Sequence, residues 1–279
     1  MKIGVFGAGT MGNGIAQVMA SAGYEVILCD VNKEILGNAA KTIDTNLWRL
    51  YKKEERDFNE IGQVLARITF TTNKNTLTDM DVIIEAIIEN IDIKKSLFAE
   101  LDEICEEKTI LASNTSGLSI TEIGAATSRA DRVIGMHFFN PVPVMKLVEI
   151  IRGADTSDES YKAIDELVSS IGKESISILD APLFVVNRIL VPMINEAIFV
   201  LGEGIASVED IDKGMVLGTN QPIGPLALAD LIGLDTLLSV AETLLEETGD
   251  SKYRVPPLLR KHVRAGHFGR KAGRGFYQY

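Results

Sequence analysis

The stretch RVIGMHFFNPVPVMKLVEII, residues 132–151, carries His137 twelve positions before Glu149. An imidazole titrates near neutral pH, so it can take a proton from a hydroxyl and return it in the reverse direction. A carboxylate bonded to the ring fixes its tautomer and stabilises the imidazolium. Taken alone, His137 between Met136 and the pair Phe138–Phe139 reads first as a core residue satisfied by one backbone hydrogen bond. The acid/base reading needs Glu149 to reach it. A strand ending at His137, a turn over Asn140-Pro141-Val142-Pro143 and a returning strand ending near Glu149 permit the contact if the loop sets the right register.

A second constellation is Gly7-Ala8-Gly9-Thr10-Met11-Gly12, which follows an apolar strand and opens a helix, with Asp30 ending the next strand 23 residues after Gly7. The three glycines serve different physical ends. Gly7 allows the tight turn, Gly9 the close approach of a pyrophosphate, and Gly12 the helix–strand packing. The amides at Thr10 and Met11 and the positive end of the helix would hold phosphates. The Asp30 carboxylate would bond both ribose hydroxyls and repel a 2′-phosphate, which favours NAD, with NADP as the alternative. A structural strand–helix–strand unit without cofactor is the plainer reading of the same residues.

Other side chains have plain readings beside functional ones. Ser116 fits a strand-end turn, Asn187 the cap of the helix after it, and Lys94 with Lys95 a solvated helix face. Lys271 sits in a basic tail that could simply pair with acidic surface. Glu85 and Glu89 could form an acid/base pair, but Glu85 falls within or at the end of a strand and receives no role. Nothing assigns chemistry to His262 or His267.

The elements that must position these residues follow from periodicity. Residues 3–6, 25–30, 81–87, 109–114, 133–139, 145–151 and 174–179 read as strands, most of them short apolar runs. Helical spacing covers 11–24, 33–68 and 91–105, with Ile35, Ala39, Ile43, Leu47 and Leu50 on one face of the second. Ser119 with Glu122, Thr156 with Glu159 and Ser207 with Asp210 have N-cap spacing. From about Asn187 the pattern becomes helical, and residues 188–207 are apolar almost all round, with Pro192 predicting a kink. The expected architecture is α/β: a Rossmann-like domain over 1–185 with a mostly parallel sheet, then a smaller all-helical domain over 186–279.

With 46% apolar and 24% charged residues, the composition is that of a soluble globular enzyme. A formal charge of −11 without a long basic run sets nucleic acid aside. Cys29 and Cys105 show no zinc-type spacing, so no metal is expected. No apolar window is long enough for a membrane span and no leader-type segment is read at the start, which points to the cytoplasm.

The segments GAGTMGNGIAQVMASAGYEVILCD, EAIIENIDIKKSLFAELD, ASNTSGLSITEI, RVIGMHFFNPVPVMKLVEII, FVVNRILVPMINEA and GRKAGRGFY together resemble the short-chain L-3-hydroxyacyl-CoA dehydrogenases, and among them the bacterial 3-hydroxybutyryl-CoA dehydrogenases. They run in family order along the whole chain. The resemblance implies His137 as catalytic acid/base, Glu149 as its orienting partner, and Ser116 and Asn187 near the reacting oxygen of the substrate. It places Glu89, Lys94, Ser116, Asn140 and Lys271 along the cofactor, beside the glycine loop and Asp30. Asn46 and Lys53 fall where related enzymes meet the CoA moiety. It further implies a homodimer or higher homo-oligomer formed through the helical domain, and a place in fatty-acid and butanoate metabolism. The sequence departs from the family pattern at Leu183, where many relatives have Gly, and at Ala227, Ala272 and Gly117. These departures bear on substrate preference, domain closure and cofactor affinity.

Two other readings compete. A β-hydroxyacid dehydrogenase acting on a free acid shares the N-terminal motif but relies on a lysine in its second domain, and HFFNP with the following Glu argues against it. A dinucleotide-binding protein without activity would not need His137, Glu149, Ser116 and Asn187 together.

Overall fold

The computed structural model describes residues 1–279, which divide into two compact units, Met1–Ala181 and Pro182–Tyr279. In the first, β1 (Lys2–Phe6), α1 (Thr10–Ser21) and β2 (Glu25–Cys29) form the expected strand–helix–strand unit. There follow α2 (Lys33–Glu54), α3 (Asn59–Ala66), β3 (Ile68–Thr71), β4 (Val82–Glu85), α4 (Ile91–Ile104), β5 (Ile110–Ser113) and α5 (Ile120–Gly124). The unit closes with β6 (Val133–Phe138), β7 (Leu147–Arg152), α6 (Asp158–Ser170) and β8 (Glu174–Leu179).

The eight strands form one sheet in the order β3-β2-β1-β4-β5-β6-β7-β8. Every neighbouring pair is parallel except β6–β7, which is antiparallel. Strands β4, β5 and β6 are buried along their whole length, as strands covered on both faces must be. Their apolar runs carry no alternation for that reason. The chain runs outward from β1 in both directions, so the strand order reverses between β1 and β4. A crevice opens there at the carboxyl ends of the strands.

Helix α2 buries Leu36, Ala39, Ile43, Leu47 and Tyr51 at helical spacing, and Asn32 caps it by accepting from the amides of Glu34 and Ile35. The expected helix over 33–68 breaks at Glu55, whose φ of 54° is left-handed. The remainder is the short α3 and then β3, a strand the sequence pattern does not predict. β3 is legible only through its pairing with β2, since four residues are too few to show a period. Ser119 caps α5 as the spacing predicts, but the cap of α6 is Ser157 and not Thr156. Thr156 instead donates its hydroxyl to the Val133 carbonyl and accepts from the Gly153 amide, so its side chain serves the loop.

The second unit is helical: α7 (Val186–Gly202), α8 (Val208–Thr219), α9 (Pro225–Ile232), α10 (Leu234–Thr248) and α11 (Pro257–Arg264). Its core joins Ile194 and Ile198 of α7 to Leu226, Leu234, Leu237 and Leu259. Two buried carboxylates organise it. Asp212 accepts from the amides of Leu226 and Ala227 at the start of α9, and Asp230 accepts from those of Phe276 and Tyr277. Ser207 caps α8 as expected. Pro192 lies inside α7, and Asn187 is the second residue of that helix, after the N-cap Val185, so the capping reading of Asn187 does not hold. Leu183 adopts φ 59°, the left-handed region in which a glycine avoids the Cβ penalty of about 1–2 kcal/mol. Its side chain is buried against Leu244 and Tyr253. No helix of the chain is long and apolar enough to cross a membrane.

Candidate functional site

Strands β6 and β7 bring the proposed proton handlers together by register. His137 and Glu149 are directly opposed across the antiparallel pair, and Nδ1 of the ring lies 2.7 Å from Oε2 of the carboxylate. A period of two puts directly opposed residues on the same face, so a shift of one residue would send the pair to opposite faces. Both side chains are buried. A carboxylate only accepts, so Nδ1 carries the proton in the neutral ring and donates it to Glu149, and Nε2 is then the basic nitrogen. The core-residue reading of His137 holds as to burial, but the partner of its Nδ1 is a charged group. Phe139 packs against the ring with centroids 4.6 Å apart. The amide of Phe138, next in the strand, donates to Oδ1 of Asn114 at the end of β5. Asn114 has no sequence signal beyond its place in a strand-end turn.

The glycine loop lies at the crevice between β1 and β4. Gly7 has φ 101°, and a Cβ there would meet the Ala86 carbonyl at 2.6 Å. A Cβ on Gly12 would come within 1.7 Å of the Gly7 carbonyl oxygen. Both glycines are therefore demanded by the protein itself. Gly9 differs: nothing lies within 4 Å of a Cβ built on it. It also stands at the N-cap of α1, which has no side-chain cap and no acidic residue in its first turn. That open cradle at an unshielded positive helix end suits a pyrophosphate.

A cavity of about 810 Å³ runs from the loop, lined among others by Gly9, Asp30, Val31, Ile35, Ile88 and Ile93. Asp30 follows β2; its carboxylate accepts from the Ala8 amide at 2.8 Å and the Asn32 amide at 2.9 Å. It thus braces the glycine loop while keeping acceptor capacity for ribose hydroxyls, since a carboxylate offers about four lone-pair sites. These features fit a bound dinucleotide.

Glu89, Lys94 and Ser116 are joined in one network that runs from the buried Lys94 to the exposed Glu89. The Glu89 carboxylate accepts from the Thr115 hydroxyl at 2.5 Å and from the Ser116 amide at 2.7 Å. Lys94 is 1% exposed, so the solvated-face reading fails for it, whereas partly exposed Lys95 pairs with Glu122. The partner of Lys94 is Glu85, at 2.5 Å, with Glu89 at 3.4 Å. Glu85 ends β4, as expected, but it is the hub of the network. It also accepts from the Ser113 hydroxyl and the Ile87 amide. A carboxylate closing the apolar run Val82–Ile84 was the available signal, because such a group needs several partners when buried.

Exposed Asn140 lies in the β6–β7 loop, at a cis bond to Pro141. Asn46 and Lys53 are seven residues apart on α2 and share a face. Asn187 and Lys271 belong to the second unit. Lys271 pairs with Asp235 at 2.6 Å, as its plain reading anticipated. Although burial acts to raise it, the Asp235 carboxyl is held below its usual range by Lys271 and neighbouring amides.

Comparisons with known proteins agree along the whole chain. A family model described as "3-hydroxyacyl-CoA dehydrogenase, NAD binding domain" matches residues 2–181, and one described as "3-hydroxyacyl-CoA dehydrogenase, C-terminal domain" matches 184–279. The chain is 50% identical over 279 residues to a 3-hydroxybutyryl-CoA dehydrogenase of Clostridioides difficile, covering 100% of this chain and 99% of that one. It is 49% identical to a 3-hydroxybutyryl-CoA dehydrogenase of Bradyrhizobium diazoefficiens, covering 100% of this chain and 95% of that one. The crystal structure of an (S)-3-hydroxybutyryl-CoA dehydrogenase from Ralstonia eutropha superposes with a TM-score of 0.96 at 53% identity, covering 100% of this chain and 98% of the other.

Proposed function

From a chain that belongs to the 3-hydroxyacyl-CoA dehydrogenase family, we propose an enzyme that reversibly converts (S)-3-hydroxyacyl-CoA, in particular 3-hydroxybutyryl-CoA, to the 3-oxoacyl-CoA with NAD as the oxidant. The observation that carries this reading is the in-register His137–Glu149 pair in the same unit as a dinucleotide groove. NAD bound there supplies the hydride acceptor for the substrate carbinol carbon. His137 takes the hydroxyl proton at Nε2, and Glu149 holds Nδ1 and stabilises the imidazolium. Burial of both groups excludes water and strengthens that interaction.

Ser116 and Asn187 hold the substrate oxygen in this reading. Asn46 and Lys53 meet the CoA moiety, and Glu89, Lys94, Asn140 and Lys271 line the cofactor. The Asp30 carboxylate favours NAD over NADP. The free-acid alternative has no need of a histidine–carboxylate pair, and a requirement for the CoA thioester separates the two. The enzyme is further assigned to the cytoplasm, to fatty-acid and butanoate metabolism, and to a homodimer formed through the helical domain.

His137→Gln tests the reading. Turnover of acetoacetyl-CoA with NADH is expected to fall by about 10²–10⁴, the usual contribution of a positioned acid/base. NADH binding, followed by fluorescence titration, should be unchanged. Near-wild-type turnover in the variant would sink the assignment.

A further inference from the structure

The loop between β6 and β7 separates the two halves of the dyad, and a side chain outside both strands holds it. Lys173, in the turn between α6 and β8, is buried. Its Nζ donates to the carbonyl oxygen of Val142 at 2.7 Å and to that of Met145 at 2.6 Å. The adjoining Glu174 amide donates to the Lys146 carbonyl at 2.9 Å, so the clamp continues into the β7–β8 ladder. Within the loop the amides of Val144 and Met145 both turn back to the Pro141 carbonyl. Val142 is itself buried and sits against α1, where a methyl group on Gly14 would come within 2.9 Å of its Cβ. A single ammonium therefore ties the loop at two points, and the loop in turn touches the helix that starts at the glycine cradle.

Burying an ammonium against carbonyls alone is costly, and a methionine of similar length would avoid that cost. Burial lowers the Lys173 pKa, and no charged neighbour offsets the effect. What the charge accomplishes is to satisfy two carbonyls in a loop that has few ladder bonds of its own. The loop begins two residues after His137 and ends just before the strand that carries Glu149. Its conformation thus decides which residue of β7 stands opposite the histidine.

We propose that Lys173 is a positioning residue for the dehydrogenase reaction: by clamping residues 142–145 it holds the loop against the helix that starts at the glycine cradle and keeps His137 opposite Glu149. The inference rests on the dehydrogenase reading above. It assigns Lys173 no contact with substrate or cofactor.

The test compares full-length wild type, Lys173→Met and Lys173→Arg. In Lys173→Met, kcat for acetoacetyl-CoA reduction is expected to fall about 10²-fold, the scale of a misplacement of about 1 Å at a reacting group. KM for NADH should rise while KM for acetoacetyl-CoA stays near wild type, and Lys173→Arg should recover much of the lost kcat. By hydrogen–deuterium exchange, the amides of Val144 and Met145 should lose protection in Lys173→Met. Wild-type kcat and unchanged exchange in Lys173→Met would overturn the proposal. So would a fall in thermal stability with kcat intact below the melting transition, because the lysine would then be structural only. If Lys173→Met does not fold, Lys173→Gln, which keeps one neutral donor, carries the same comparison. Failure of the wild type to reduce acetoacetyl-CoA would refute the functional reading instead, and the exchange measurement would still report on the clamp.

Discussion

Glu149 approaches Nδ1 of His137 to 2.7 Å, and the contact serves two functions that can be separated. It selects the tautomer that leaves Nε2 basic, and its charge lowers the cost of forming the imidazolium. Glu149→Gln keeps the size of the side chain but can present an N–H to Nδ1, which would favour the wrong tautomer. The kcat of the variant is expected to drop by about 10²–10⁴, with the larger figure set by complete tautomer reversal. NADH affinity by fluorescence should not move; a fall in NADH binding of the same size as the fall in kcat would refute an orienting role. The residue types of this pair were legible in the sequence, because histidine and glutamate bracket a turn there. Their contact was not, since it depends on strand register. Glu85 shows the opposite case. Its strand-end position was read correctly, yet its importance lies in Lys94, Ser113 and Ile87, which only folding brings to it.

The glycine loop makes its prediction at the level of the element. The GxGxxG pattern assigns Gly9 to the approach of a pyrophosphate and Gly12 to helix–strand packing, and the space around each in the structure makes the two separately testable. Gly12→Ala forces its methyl into the Gly7 carbonyl, at 1.7 Å, so the strand–helix turn must open and the melting temperature should fall by several degrees. Gly9→Ala meets nothing within 4 Å, so its melting temperature should stay near wild type while NADH affinity falls. Calorimetry on the unliganded proteins and NADH titration distinguish the two. A Gly9→Ala variant that binds NADH normally would show that the open cradle does not receive the pyrophosphate. Element boundaries elsewhere followed local chemistry where that was strong, as at the Ser119 and Ser207 caps. The spacing misplaced the start of α6: it named Thr156, but the Val133 carbonyl takes the threonine hydroxyl and Ser157 caps the helix.

For the whole molecule, the helical unit presents Ile189, Ile205 and Leu217 with 68%, 67% and 74% of their surface exposed. Apolar exposure of this kind on one unit fits an association surface. Light scattering coupled to gel filtration should give about twice the 30.4 kDa chain mass. Leu217→Glu combined with Ile189→Glu should shift the peak toward the monomer, and a monomeric wild type would refute the dimer. Composition, periodicity and motif spacing were sufficient by themselves for the α/β class, the nucleotide-binding strand–helix–strand unit, the smaller helical C-terminal unit and the residue types able to move a proton. Those properties are local, set within a few turns of chain by burial pattern, turn chemistry and backbone freedom. Only the tertiary structure decided that His137 faces Glu149, that Lys94 is buried on Glu85, that β3 exists and that Lys173 reaches across to the β6–β7 loop. Each of these joins groups between 9 and 42 residues apart through strand pairing or packing. A window of sequence can hold both partners, as 132–151 holds His137 and Glu149, but not the strand pairing or packing that brings them into contact.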